Sequence, residues 1–295
     1  MVLIWSALCL LLAAHCATAF LPPPPPPPSF LLRSEASTPS DCEPASPSLA
    51  SPSPASPSPA SPSPASLKLS ILSLCATCDR GFGASPADRS KIEALLEELS
   101  PLSPTEEPTQ GIAEEDERPA PLRGCWRLVY TSASDVSTLG ANPLVSVGGI
   151  YQDARQLPVI TNVIDVQPRA LQSLPPGPVA SALASSLRLN VSTRARPRGG
   201  ARAGLTFEAV AAEPRTLFGK PAPDWLPSPP RIKFPEVSMD LQRKIFGVAE
   251  GDDPRDSDKN PAFFDVMFLD TDFLAIKQGK GGGIFAAVKV DELAE

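Results

Sequence analysis

The chain has 295 residues, 38 of them proline, and a formal net charge of −7. That acidic balance excludes nucleic acid as a main partner, because neutralising phosphates takes a basic surface. The single histidine, His15, lies near the N-terminus, so the rest of the chain has none for a Ser-His-Asp triad, a Cys-His dyad or a His-ligated metal.

Residues Val2 to Ala14 are almost all apolar, a run shorter than the ~20 residues a membrane-spanning helix needs. Ala17-Thr18-Ala19 puts small residues at the −3 and −1 positions of a signal-peptidase site, so residues 1–19 are expected to be a signal peptide. Pro22 to Pro28 and three copies of Ala-Ser-Pro-Ser-Pro at 50–64 follow. Residues 20–66 are therefore expected to be a disordered Pro/Ser/Ala-rich leader, either an extended linker or a transit peptide. Phe20 directly after the cleavage site resembles two-part leaders that cross the endoplasmic reticulum and then a plastid envelope. That resemblance implies a plastid (chloroplast) destination.

Composition changes at Leu67. Leu67, Leu69, Ile71, Leu72, Leu74, Cys75 and Cys78 predict a short helix, broken by Arg80-Gly81-Phe82-Gly83. Ser85-Pro86-Ala87-Asp88 is a helix start, with Ser as N-cap, Pro at N1 and an acid at N3. Ile92, Leu95, Leu96 and Leu99 then form one apolar stripe, ended by Pro101 and Pro104. A helical hairpin is expected over 67–100. Cys75-x-x-Cys78 lacks the further ligands of a zinc site and the βαβ context of a redox motif, so both are read as core residues.

After the acidic stretch Glu106–Glu117 the period becomes two. Trp126, Leu128 and Tyr130 alternate with Arg127, Val129 and Thr131. Further strands are expected at 147–154, 159–166, 186–195, 203–211, 262–270, 273–278 and 284–290, with residues 212–261 as a long excursion. About eight meandering strands without intervening helices suit an antiparallel β-barrel over 122–295. The fold class is thus mainly β, with one domain at 67–295. If the apolar face lines the barrel, its interior should include Leu128, Tyr130, Leu189, Val191, Leu205, Phe207, Val266, Phe268 and Val288.

Several passages resemble the plastid lipid-associated protein family, the plastid fibrillins. They are Asp79-Arg80-Gly81 and Ile92-Glu93-Ala94-Leu95 in the hairpin and Gly124 to Ser132 in the opening strand. Gly149-Ile150-Tyr151-Gln152 and Asn162-Val163-Ile164-Asp165 follow, then a C-terminal block with Phe268, Asp270, Asp272, Ile276, Gly279, Gly283, Phe285 and Val288-Lys289. Gly124-x-Trp126 also resembles the first-strand motif of lipocalins, in which Trp closes one end of the barrel.

The resemblance implies a lipocalin-like barrel that binds or coats apolar lipids (carotenoids, prenylquinones, acyl lipids) at plastoglobules or thylakoids, with no cofactor, no metal and no catalytic residues. The alternative is a non-catalytic partner or scaffold for a prenylquinone-synthesising enzyme. Among the motif residues, Trp126 is expected to plug the barrel. Asp270 and Asp272 are expected to serve turn chemistry, and Gly279 to Gly283, ahead of Phe285, a hairpin loop. The arginines at 188, 194, 196, 198 and 202 suit solvated strand ends or an anionic lipid surface.

Overall fold

The computed structural model of the chain describes residues 62–113, 119–133, 136, 139–140, 142–223, 225–226, 231–233, 262–279 and 283–293. The expected signal peptide and nearly all of the expected leader lie outside the described residues.

Helix α1 runs Pro64–Thr77, starting three residues before the expected boundary because Ser63 caps it: its hydroxyl accepts from the Ser66 amide. Helix α2 runs Pro86–Leu99 and opens on a full capping box, in which Asp88 N–H donates to Ser85 Oγ and Ser85 N–H to Asp88 Oδ2. The two helices bury Leu67, Ile71 and Cys75 on one side and Ile92, Leu96 and Leu99 on the other. The turn between them needs glycine at position 81. Its φ is +93°, and a Cβ there would lie 2.2 Å from the Thr131 carbonyl oxygen.

Eight strands follow: β1 Cys125–Thr131, β2 Val145–Asp153, β3 Val159–Pro168, β4 Ser186–Pro197, β5 Arg202–Leu217, β6 Phe263–Leu269, β7 Phe273–Gln278 and β8 Ile284–Val290. Their spatial order is β4-β3-β2-β1-β8-β7-β6-β5, and β5 also pairs with β4, so the antiparallel sheet closes into a barrel. The closures differ in length. β4 and β5 pair over twelve residues, whereas β5 and β6 pair at Arg202↔Asp265, Ala203↔Phe264 and Gly204↔Phe263. Arg202 braces that short seam, donating to both carboxylate oxygens of Asp265 at 2.7 and 2.9 Å.

The long excursion expected from 212 starts later. β5 continues to Leu217 because its pairing with β4 continues to Thr216, and Pro214 sits at a bulge, where its missing N–H is tolerated. β5 also pairs with the two-residue strands Lys220–Pro221 and Ile232–Lys233. Between β3 and β4 lie two short helices, α3 Arg169–Gln172 and α4 Pro178–Leu183.

The upper end of the barrel is where β1, β3, β5 and β7 finish; the lower end is where they begin. No helix among the described residues is long and apolar enough to cross a membrane.

Candidate functional site: the barrel interior

Two clusters of buried side chains define the inner and outer faces. One joins Trp126, Ile160, Ala195, Ala203, Phe264, Val266, Ile276 and Ala287, from β1 and β3 to β8. Strands so far apart in the ring meet only across the lumen. The other joins Tyr130, Phe268, Phe273, Ala275, Ile284 and Ala286, from four adjacent strands, with the buried stripes of α1 and α2. It is therefore the outer face beneath the helices.

The expected interior residues divide between these faces. Leu128, Leu189, Val191, Leu205, Phe207 and Val266 share the inner face by register and packing. Tyr130, Phe268 and Val288 belong to the outer core under the helices. The reason is a pair of β-bulges. In β1, Leu128 pairs with Ala287 but Tyr130 with Ala286, so Val129 is an extra residue and the alternation inverts after it. In β6, Val266 pairs with Ile276 but Phe268 with Ala275, and Met267 is the extra residue. Val288 is outward through its alternation with the inward Ala287.

The lower end is filled by Trp126, which is 0% exposed and packs with Ile112, Leu122 and Ala154. Its Nε1–H donates to the Leu122 carbonyl at 2.9 Å. Gly124 enters β1 at φ +157°, where a Cβ would meet the Lys289 side chain, and Lys289 Nζ lies 5.3 Å from the Trp126 ring centroid. The upper end is covered by Phe82 from the interhelical turn and by Ala133, Val136 and Leu139, which pack on Leu128, Ile150 and Val147. Arg80 fastens that turn by donating to the carbonyls of Val147 and Gly148. Gly283 is buried against Ala133, and Phe285 faces inward, half-buried.

Asp270 and Asp272 sit in the β6–β7 hairpin. The amides of Asp272 and Phe273 donate to Asp270 Oδ1, which is Asx-turn chemistry. The same carboxylates hold α1: Lys68 Nζ donates to Asp270 at 2.7 Å and Asp272 at 2.6 Å. Burial works against charge on both Lys68 and Asp270. Asp270 and Asp272 together outweigh it for Lys68, which is raised. Lys68, Asp272 and the amides of Asp272 and Phe273 together outweigh it for Asp270, which is lowered.

Burial and, second, the Cys78 thiol push the Cys75 thiol up to about 12, so it stays protonated and a poor nucleophile at neutral pH. The arginines lie in cross-strand ion pairs: Arg188 with Asp165, Arg194 with Glu208 and Arg202 with Asp265. These pairs offset the charge of three of the five arginines in the expected basic stretch.

The inner wall has one feature that the sequence reading missed. Gln152 pairs with the inward Trp126, and Asn162 pairs with both Gln152 and the inward Val191, so both amides face the lumen. The patterns Ile150-x-Gln152 and Ile160-x-Asn162-x-Ile164 carry the signal, because a polar residue there must share the apolar face.

The family model PAP_fibrillin matches residues 65–287, from the start of α1 to the middle of β8. No curated protein and no solved structure matches the chain. The match spans most of the chain and takes in both the helices and the barrel, and so the chain belongs to the PAP_fibrillin family of plastid lipid-associated structural proteins.

Proposed function

We propose that this protein binds apolar lipids inside its barrel and touches plastid lipid surfaces, at plastoglobules or thylakoids, with the upper rim, without transforming what it binds. The observation that carries this reading is the inner wall. It is apolar through most of its length, and Ile150, Leu205, Phe207 and Phe285 on it are only half-buried, which supports room for a ligand against them. An isoprenoid or acyl chain laid against that wall gains about 25 cal/mol per Å² of apolar surface removed from water.

The rim supports the second half of the reading. Residues 170–187 carry no charged side chain, although most of them up to Ala184 are exposed. Val179 and Leu183 of α4 project there. The β5 tip is tied to this segment, with Phe218 N–H donating to Ser185 Oγ and Gly219 N–H to the Ala184 carbonyl. Leu144, just before β2, and Phe218, just after β5, bring further apolar surface to the same end. An aromatic-bearing rim with a charge-free segment at 170–187, flanked by the exposed cations Arg215 and Lys220, suits the headgroup boundary of a lipid layer.

The test is a titration of delipidated protein with a fluorescent fatty acid and a carotenoid, together with extraction of lipids from protein isolated from its host. Saturable binding and co-purified apolar lipid are expected. Absence of both would overturn the reading.

A further inference from the structure

Resting on the reading that the barrel holds a lipid, we propose that Gln152 and Asn162 anchor a neutral, hydrogen-bonding head on that lipid, a carbonyl or hydroxyl oxygen rather than a carboxylate or phosphate.

The two amides are cross-strand partners on the inner face, which brings their Cβ atoms to ~5 Å. They lie among apolar neighbours. Along β3, Asn162 sits between Ile160 and Ile164, at 0% and 1% exposure, and across the sheet Gln152 adjoins the fully buried Trp126. Both remain half-buried rather than sealed, so there is space beside them. Among the described residues neither side chain makes a hydrogen bond or ion pair within the chain. The buried inward Thr193 differs: its hydroxyl donates to the Ile160 carbonyl at 2.9 Å.

Open as they are, the amides can be met by water before a lipid enters. A lipid that displaces that water leaves them unmet, which is costly, unless it brings a hydrogen-bonding atom of its own. The chemistry of the pair sets the class of head. Two primary amides present donors and acceptors but no charge. The ion-paired cations Arg188, Arg194 and Arg202 lie across strand pairs on the outer face. Lys289, the inner-face partner of Trp126, reaches past Gly124 and is exposed at the lower end, so a carboxylate or phosphate head beside the two amides would be desolvated with no counter-charge next to it. A quinone carbonyl or a lipid hydroxyl accepts from the amide N–H groups, and a hydroxyl also donates to the amide oxygens. Binding should thus discriminate by the head of the lipid as well as by its tail.

The test uses the purified full chain and three probes: a 1,4-benzoquinone with an isoprenoid tail, squalene as an oxygen-free isoprenoid, and oleate. The quinone should bind roughly tenfold tighter than squalene, the value of one to two net hydrogen bonds, and tighter than oleate. The double substitution Gln152→Met with Asn162→Leu should remove the quinone's advantage, lowering quinone affinity towards that of squalene, whose own affinity should hold or rise because no amide is left unmet beside it. Equal wild-type affinity for quinone and squalene would overturn the anchor while leaving lipid binding intact, as would tighter binding of oleate. Unchanged quinone affinity in a double variant that melts like the wild type would do the same. Failure of all three probes to bind would overturn the lipid-binding reading itself. The wild-type comparison stands even if the double variant folds poorly.

Discussion

At the scale of single residues, Trp126, Tyr130 and Lys68 bear on stability in three different ways. Trp126 fills the lower end of the barrel, so Trp126→Ala should destabilise by about 3–5 kcal/mol through the cavity it leaves. Trp126→Phe should cost less, losing mainly the bond to the Leu122 carbonyl. Denaturant unfolding of both variants checks the order. Tyr130 presents the opposite case. Its hydroxyl is buried with no well-aligned hydrogen bond, the Ser132 side chain being its nearby but poorly placed partner, and burial first, then Glu93, pushes it up to about 12. Tyr130→Phe should therefore be neutral or stabilising by up to about 1 kcal/mol, and a clear loss of stability would show that the hydroxyl is satisfied in solution.

Lys68 contributes through Asp270 and Asp272, which gives its effect a pH window. Asp270 is lowered from 3.8, so its contribution is present above that value and fades as pH falls through the folded value. Lys68 is raised from 10.5, so its contribution fades only as pH rises beyond that. Lys68→Met should cost about 0.5–1 kcal/mol at neutral pH, and the difference from wild type should shrink below pH ~4. A difference that stays constant down to pH 2 would exclude the ion pair as its source.

At the scale of elements, α2 and β1 mark what the sequence made legible. Ser85, Asp88 and the 92/95/96/99 stripe specify α2 locally, through caps and one amphipathic face, and the helix forms where they place it. Strand positions were legible for the same reason, since alternation is a local property. The side each residue faces was legible only until the first bulge. Val129 and Met267 look like ordinary strand residues, and nothing beside them in sequence announces that they are extra. Their effect is set by β8 and β7, which are remote in the chain. A one-residue slip inverts every later position, and so Tyr130 and Phe268 serve the helix-covered core. The Gln152 and Asn162 pair was legible in principle, because they interrupt apolar alternations. That they are unpaired depends on the fold.

The two faces can be separated by experiment. Ile92→Ala lies in the outer core and should cost about 2–5 kcal/mol while leaving lipid affinity intact under conditions where the protein stays folded. Phe207→Asp, on the inner wall, should abolish lipid binding or folding because its carboxylate would be unpaired. Retained binding in the Phe207 variant would move the ligand site out of the barrel.

At the scale of the whole molecule, the ring is unevenly fastened. The β5–β6 seam has three residue pairs, extended by Leu205 N–H to the Ala262 carbonyl and Val266 N–H to the Ala201 carbonyl. These two amides should exchange with solvent deuterium faster than those between β3 and β4, which pair over eight residues. Slower exchange at the seam would show that the ring opens elsewhere. The order of strands also has a consequence in time. β1 is made first among the strands, yet its neighbour on one side is β8, the last. While the protein is being synthesised, β1 to β5 can form only a curved, open sheet, with an apolar wall and bare edges facing water. That exposure ends only when the segment from Ile284 to Val290 has emerged and returned to β1. A translation product stopped before Ile284 cannot close the ring, so it becomes a substrate for chaperones and proteases.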